Sequence, residues 1–248
     1  MVNTKHVKNS GYISLLFRGE ILTGIKFLTF DCYGTLIDWK SGIESNFTKF
    51  FLKSSVEKAK VGNIIFEKYV SLEASEESNY KPYTQVLEET ALKLALSFGL
   101  ESFDGEAPKR FAASIKEWIP FPDKRQTLSE MGSRGLKRII LSNIDKDLLK
   151  DTLRNGRIEV DGFITAQDVG SYKPEKNHWI SFFEKFGAKR EETLHVAGSI
   201  YHDIIPANEL GLKTVWVNRY QEKKPANVNS TYTIRGLADL LGILDSLK

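Results

Sequence analysis

The 248 residues include 41% hydrophobic side chains, enough for the core of one large domain or of a domain with an insertion, and 35 basic against 32 acidic residues leave a formal charge of only +3. Charges of the two signs are well mixed and no basic stripe interleaves with aromatics, which leaves no nucleic-acid footprint. No apolar run approaches the ~18 to 20 residues of a membrane-spanning helix, and the lone cysteine, Cys32, excludes an internal disulfide and a thiolate metal cluster and fits a reducing cytoplasm.

Residues 1–24 resemble nothing that follows. Lys5, Lys8 and Arg18 surround a short apolar patch at 13–17, which is below the ~7 residues of a signal-peptide core and has no small-residue cleavage site after it. We expect a loosely held N-terminal arm, or translated sequence upstream of the true start, with a homodimer contact as the partner reading that stays open. Residues 25–30 form an apolar run of strand length that ends in Asp31 and breaks at Gly34. A carboxylate at the C-terminal end of a buried strand stands where open α/β sheets place their ligands, and it is expensive to desolvate without a cation or N–H groups nearby. By itself such an Asp is more often a turn or cap residue. Cys32, beside it on the strand, points to the opposite face and reads as packing.

From 40 to 118 the chain reads as helices. Apolar stripes recur at helical spacing: Ile43, Phe47, Phe50 and Phe51; Ile65, Tyr69 and Leu72; Leu87, Ala91, Leu94 and Phe98; Phe111, Ile115 and Trp118. Gly62, Pro82, Gly99 and Pro108 punctuate them. This is far more helix than a strand-to-strand crossover needs, so residues 40–119 are expected to form a helical cap inserted after the first strand. Residues 25–39 and 120–248 would form the core. Beyond 120–123 the pattern alternates: helix 124–134, strand 137–141, helix 147–155, strand 162–165, helix 176–186, strand 194–197, helix 206–210 and strand 214–217. That alternation predicts an α/β fold, a Rossmann-like parallel sheet with helices on both faces. The polar clusters Ser142-Asn143, Ser171 to Pro174 and Ser199 to Asp203 all fall at strand ends and converge on one mouth.

Asp31-Cys32-Tyr33-Gly34-Thr35-Leu36, Leu141-Ser142-Asn143, Ser171-Tyr172-Lys173-Pro174 and Ser199 to Asp203 resemble the ordered motifs of the haloacid dehalogenase superfamily. Tyr33 and the Ser-Tyr-Lys-Pro run are most similar to the type II 2-haloacid dehalogenase branch. The resemblance implies sheet order 5-4-1-2-3 and a hydrolase that forms a covalent ester on Asp31, with Lys173 keeping Asp31 ionised. Asp203 would orient the hydrolytic water, though an N-cap is an equal reading. Tyr33, Thr35, Ser142, Asn143 and Trp179 would face a small anionic substrate, with Trp179 standing where the family places a Tyr near the substrate carboxylate. Ser142-Asn143 also reads as an ordinary N-cap.

Departures from the family bear on the chemistry. Tyr33 occupies the position where superfamily phosphatases carry a second Asp as general acid, and a halide leaves without needing that proton. Gly198 replaces an acidic Mg²⁺ ligand, so no metal or other cofactor is expected; Mg²⁺ enters only under the phosphatase alternative. Against a standard dehalogenase, no Arg occurs between Trp39 and Lys109 to hold the halide, leaving Lys68 or Asn63 to substitute, and Ile200 replaces an expected Asn. A non-catalytic anion-binding member is the reading from a different class. His202 is a candidate proton relay; His6, His178 and His195 show no spacing that suggests a metal. Trp39 is expected to seal the junction of cap and core.

Overall fold

The computed structural model describes residues 24–61 and 64–246, so the arm predicted at the N-terminus and Asn63 lie outside the described residues. The apolar run at the start of the core forms strand β1 (Phe27–Phe30), with Leu28 and Phe30 on one face and Thr29 on the other. Cys32 continues the first face and is fully buried, as its alternation with Asp31 requires. Gly34 turns the chain at a φ of +90° in a region that glycine enters without steric cost. Asp38 then caps the next helix by accepting from the Ser41 amide at 3.1 Å.

Five helices follow: α1 (Trp39–Phe51), α2 (Ser55–Val61), α3 (Ile65–Glu76), α4 (Tyr83–Ser97) and α5 (Ala107–Ser114), closed by a 3₁₀ turn at Ile115–Glu117. Their apolar stripes meet as the periodicity predicts. Ile43, Phe47, Phe51, Ile65, Tyr69, Leu87, Ala91, Leu94, Phe98, Phe111, Ile115 and Trp118 are all buried in one cluster, and Phe50 and Leu72 pack at its border. The same cluster takes in Leu28, Phe30, Ile140 and Val196 of the sheet, so the helical insertion and one sheet face share a continuous core. Its aromatic rings interlock, with Phe47 stacked on Phe51 at 4.8 Å between centroids.

The remainder alternates: α6 (Lys124–Ser133), β2 (Lys137–Ser142), α7 (Lys146–Gly156), β3 (Gly162–Thr165), α8 (Ala166–Val169), α9 (Asn177–Phe186), β4 (Thr193–Ala197), α10 (Ile205–Glu209), β5 (Lys213–Val217), β6 (Tyr232–Ile234) and α11 (Asp239–Asp245). All pairings are parallel and the sheet order is β3-β2-β1-β4-β5-β6. From the other edge, this is the 5-4-1-2-3 order implied by the resemblance, extended by β6. That strand has only three residues and carries no periodic signal, so it was not legible in the sequence. The second face is covered by Trp179 and Phe182 of α9 packed on Ile139, Leu141 and Ile164. Both faces are therefore dry, as a parallel sheet requires. No helix among the described residues is long and apolar enough to cross a membrane.

One contact ties the insertion to itself without slack. A Cβ added at Gly42 of α1 would stand 2.4 Å from the Trp118 ring. Gly42→Ala raises helix propensity, yet we expect it to destabilise by about 1–3 kcal/mol because the buried indole has no room to shift. Urea unfolding of the two proteins tests this, and a stabilised variant would show that the contact is slack.

Candidate active site

Asp31 is the first residue past β1 and stands at the C-terminal edge of the sheet, only 7% exposed. Its two oxygens have different partners. Oδ1 accepts from the Lys173 ammonium at 2.9 Å and Oδ2 from the Thr35 hydroxyl at 2.7 Å. Thr35 Oγ1 in turn accepts from the Gly198 amide at 2.9 Å, which ties the turn after β1 to the end of β4. The approach is close: a Cβ at Gly198 would lie 2.9 Å from the Gly34 carbonyl oxygen, so no acidic side chain fits at 198 without moving that turn.

Lys173 joins three strand ends. Its Nζ donates to Asp31, to the Leu141 carbonyl at 2.9 Å and to Asp203 Oδ1 at 2.7 Å. Asn143 holds the lysine's backbone from both sides, accepting from its amide at 2.7 Å and donating to its carbonyl at 3.1 Å. Asp203 sits in a π-helical turn, Ile200–Ile204, and is fully buried. Burial opposes its charge, but Lys173 and a hydrogen bond from His195 hold its carboxyl down to about 2. Burial also opposes the Lys173 charge, and Asp203 and Asp31 more than offset it, so its pKa lies above the ordinary value. One ammonium thus serves two carboxylates. Asp31 is left as the more strained of the two, pushed up by burial against the pull of Lys173.

These residues open into a cavity of about 520 Å³. Asp31, Tyr33, Ser142, Asn143, Lys173 and Asp203 line its floor, and Trp39 at the junction, with Phe66, Val70, Glu73, Glu77 and Tyr83 of the helical insertion, lines the opposite wall. The strand-end residues therefore converge as predicted. Thr35 is fully buried and does not line the cavity; it acts on Asp31. Trp179, predicted beside the substrate, does not reach it. It falls in the first turn of α9 on the stripe with Phe182 and Phe186, is fully buried against the second face of the sheet, and meets the His195 ring at 5.3 Å. The Tyr33 hydroxyl is 2.7 Å from Thr152 Oγ1, and burial pushes its pKa well above the usual value, which removes it as a proton donor.

The insertion also departs from expectation in charge. Lys68 reaches the Ser97 carbonyl at 3.3 Å and lies over the Phe98 ring, away from the cavity. The groups that do face the cavity from α3 and its C-terminal end are carboxyls, Glu73 and Glu77, one turn apart. Glu77 approaches His202 Nε2 at 3.4 Å and accepts from Asn143 at 3.4 Å. Burial lowers the His202 pKa, but Glu77 outweighs it and the net direction is upward. His202 is thus an ion-pair partner more than a relay. Helical spacing could have shown Glu73 and Glu77 on one face, but nothing in their order told a solvated face from a cavity wall. Trp39 meets Phe66 edge-on at 5.1 Å between the two parts, as its place in the chain suggested.

A divalent cation fits this donor set poorly. Mg²⁺ takes six oxygens in near-octahedral geometry. Of the four carboxylate oxygens of Asp31 and Asp203, only Asp203 Oδ2 lacks a hydrogen-bond partner, position 198 has no side chain, and no cluster of three or more His, Cys, Asp or Glu that could hold a metal occurs among the described residues.

Residues 25–211 match the model of the haloacid dehalogenase-like hydrolase family, and the chain belongs to that family of hydrolases. It is 25% identical over 205 residues to an (S)-2-haloacid dehalogenase of Burkholderia cepacia, covering 80% of this chain and 85% of the relative. A glyceraldehyde 3-phosphate phosphatase of Methanocaldococcus jannaschii is 31% identical over 135 residues, covering 52% of this chain and 58% of the relative. The L-2-haloacid dehalogenase structure from Xanthobacter autotrophicus superposes with a TM-score of 0.78 at 21% identity, over 90% of this chain and all of the other, which establishes the shared fold.

Glu73 makes this site sensitive to alkali. Burial, followed by the neighbouring Glu77, pushes its carboxyl from an ordinary 4.5 up to about 8, while the Tyr83 hydroxyl at 2.7 Å pulls the other way. Its folded pKa is raised, so its contribution to stability is full below about 4.5 and is lost as the pH climbs through about 8. Glu73→Gln removes that loss. Thermal unfolding of both proteins at pH 5 and pH 9 should show the variant gaining on the wild type by on the order of 2 kcal/mol at the higher pH. Parallel curves at the two pH values would show that Glu73 is already ionised when the protein is folded.

Proposed function

We propose that this protein is a metal-independent hydrolase that cleaves the carbon–halogen bond of small 2-haloalkanoic acids through a covalent ester on Asp31. The observation that carries the reading is the Lys173 ammonium held between Asp31 and Asp203, together with a site that lacks both a general acid at position 33 and a third metal donor at position 198. In the first step an Asp31 oxygen attacks the carbon bearing the halogen. The carbon–oxygen bond forms as the carbon–halogen bond breaks, and the halide leaves with the electron pair. A carboxylate stripped of water and strained by burial suits that displacement. In the second step a water oriented by Asp203 attacks the carboxyl carbon of the ester. The carbon–oxygen bond to the substrate breaks at the Asp31 side, the 2-hydroxy acid departs and Asp31 is regenerated carrying one oxygen from water. Lys173 counters negative charge on Asp31 in both steps, Asn143 holds the lysine's backbone in place, and Ser142 offers its hydroxyl to the substrate's carboxylate. The helices of residues 40–119 act as the cap over this chemistry and exclude water from it. A soluble, cytoplasmic setting fits a reaction on small organic acids with a buried free thiol at Cys32.

A phosphatase relative raises the Mg²⁺-dependent alternative, but that chemistry requires the donors this site lacks. The two readings separate cleanly. Asp31→Asn should lower turnover of 2-chloropropionate by roughly 10⁴-fold with the fold intact, because an amide is a very poor nucleophile. Lys173→Ala should be nearly as damaging. EDTA should leave the rate unchanged, and single turnover in H₂¹⁸O should leave ¹⁸O in the Asp31 carboxyl. Label confined to the product would make Asp31 a base, and a rate lost to EDTA and restored by Mg²⁺ would make the protein a phosphatase instead.

A further inference from the structure

Beneath the site lies a buried hydrogen-bond chain that the reaction described above does not use. Thr29 of β1 and His195 of β4 are paired in the parallel register and lie on the face of the sheet that carries Asp31. Both are fully buried. The Thr29 hydroxyl is 2.9 Å from His195 Nδ1, and His195 Nε2 is 3.1 Å from Asp203 Oδ1. Trp179 closes the other side of the imidazole, edge to face at 5.3 Å, which fixes the plane of the ring. With the hydroxyl donating to Nδ1, the ring proton sits on Nε2 and is donated to the carboxylate.

This arrangement divides the Asp203 carboxylate into two unlike oxygens. Oδ1 accepts from Lys173 at 2.7 Å and from His195, whereas Oδ2 is buried and has no partner among the described residues. Lys173 alone could not choose between them. An ammonium on a flexible stem follows a rotating carboxylate, but a ring wedged between strand and indole cannot. We infer that the Thr29–His195 pair is a positioning device that fixes the Asp203 rotamer and reserves its second oxygen for the hydrolytic water. His195 is then a positioning residue that acts through Asp203 and serves ester hydrolysis, the step in which Asp203 orients the water.

The inference rests on the two-step reading, and its test separates the two. With 2-chloropropionate as the probe, mass spectrometry follows the mass gained by Asp31 under single turnover. His195→Asn is too short to reach Asp203 and should slow breakdown of the ester by roughly 10²-fold, so that labelled enzyme accumulates while the rate of its formation holds. His195→Gln can place an amide N–H near the position of Nε2 and should recover most of the loss. Thr29→Val, which frees the tautomer, should give an intermediate effect on the same step. Equal slowing of both steps, or no rescue by Gln, would overturn the assignment and leave His195 a packing residue. If the wild type forms no ester, the two-step reading fails, and a second measurement still decides the geometry. The ¹⁵N spectrum of His195 should show a proton on Nε2, and an unprotonated Nε2 would overturn the positioning role by itself.

Discussion

A single buried ammonium holds this site together. Lys173 brings the ends of β1 and β2 and the turn after β4 to one point, because its three protons go to Asp31, to the Leu141 carbonyl and to Asp203. Its side chain is 2% exposed, so none of those bonds is shared with bulk water. An ion pair of this kind adds little net stability over an apolar core, but removing one partner leaves a charge stranded and costs about 3–5 kcal/mol. The surroundings follow from that constraint. Asn143 clamps the lysine's backbone, Thr35 takes the Asp31 oxygen that the lysine does not, and Gly198 is bare so that its amide can reach Thr35. The carboxylate left least comfortable is Asp31, the one that faces the cavity.

The wall opposite is aromatic and acidic. Trp39, Phe66 and Tyr83 supply a dry surface, and Glu73 and Glu77 are the carboxyl groups that α3 and its C-terminal end present to the cavity. Arg219, which also lines it, is occupied with Asp123 and with the Thr35 carbonyl at 2.8 Å, so it braces the turn after β1. On the floor, the protons of Lys173 are taken by Asp31, Leu141 and Asp203 and the side-chain amide of Asn143 by Lys173 and Glu77. Charge on the wall is moderated in two ways. Glu77 is paired with His202, and Glu73 holds its proton toward neutral pH because a second bare carboxylate beside Glu77 would be expensive in a buried setting.

Much of the architecture could be read from the chain because it is written in local terms. Apolar spacing of three and four residues marked the helical insertion, and the switch to short β-rich runs at 137–141, 162–165, 194–197 and 214–217 marked the sheet. The floor of the site was legible for the same reason, since the polar clusters that follow β1 to β4 must converge at one edge of a parallel sheet. Trp179 shows where that reasoning stops. The family resemblance implied a place beside the substrate, but α9 begins at Asn177 and its apolar stripe turns the indole under the sheet.

By itself, the sequence determined the order of the first five strands and of the longer helices, the placement of Asp31 just after β1 and of Lys173 and Asp203 in the segments that follow β3 and β4, and the absence of acidic side chains at positions 33 and 198. These depend on residue type and on periods of two and 3.6 residues, which any stretch of chain carries with it. Tertiary structure alone decided which carboxylate the lysine strains, that Glu73 and Glu77 face a cavity and not solvent, and that His195 links Thr29 to Asp203. Each of those properties depends on a partner brought close by strand register or helix rotation: Thr29 and His195 are 166 residues apart. Burial, which sets the strength of every charge in the site, exists only once the helices have closed over the sheet.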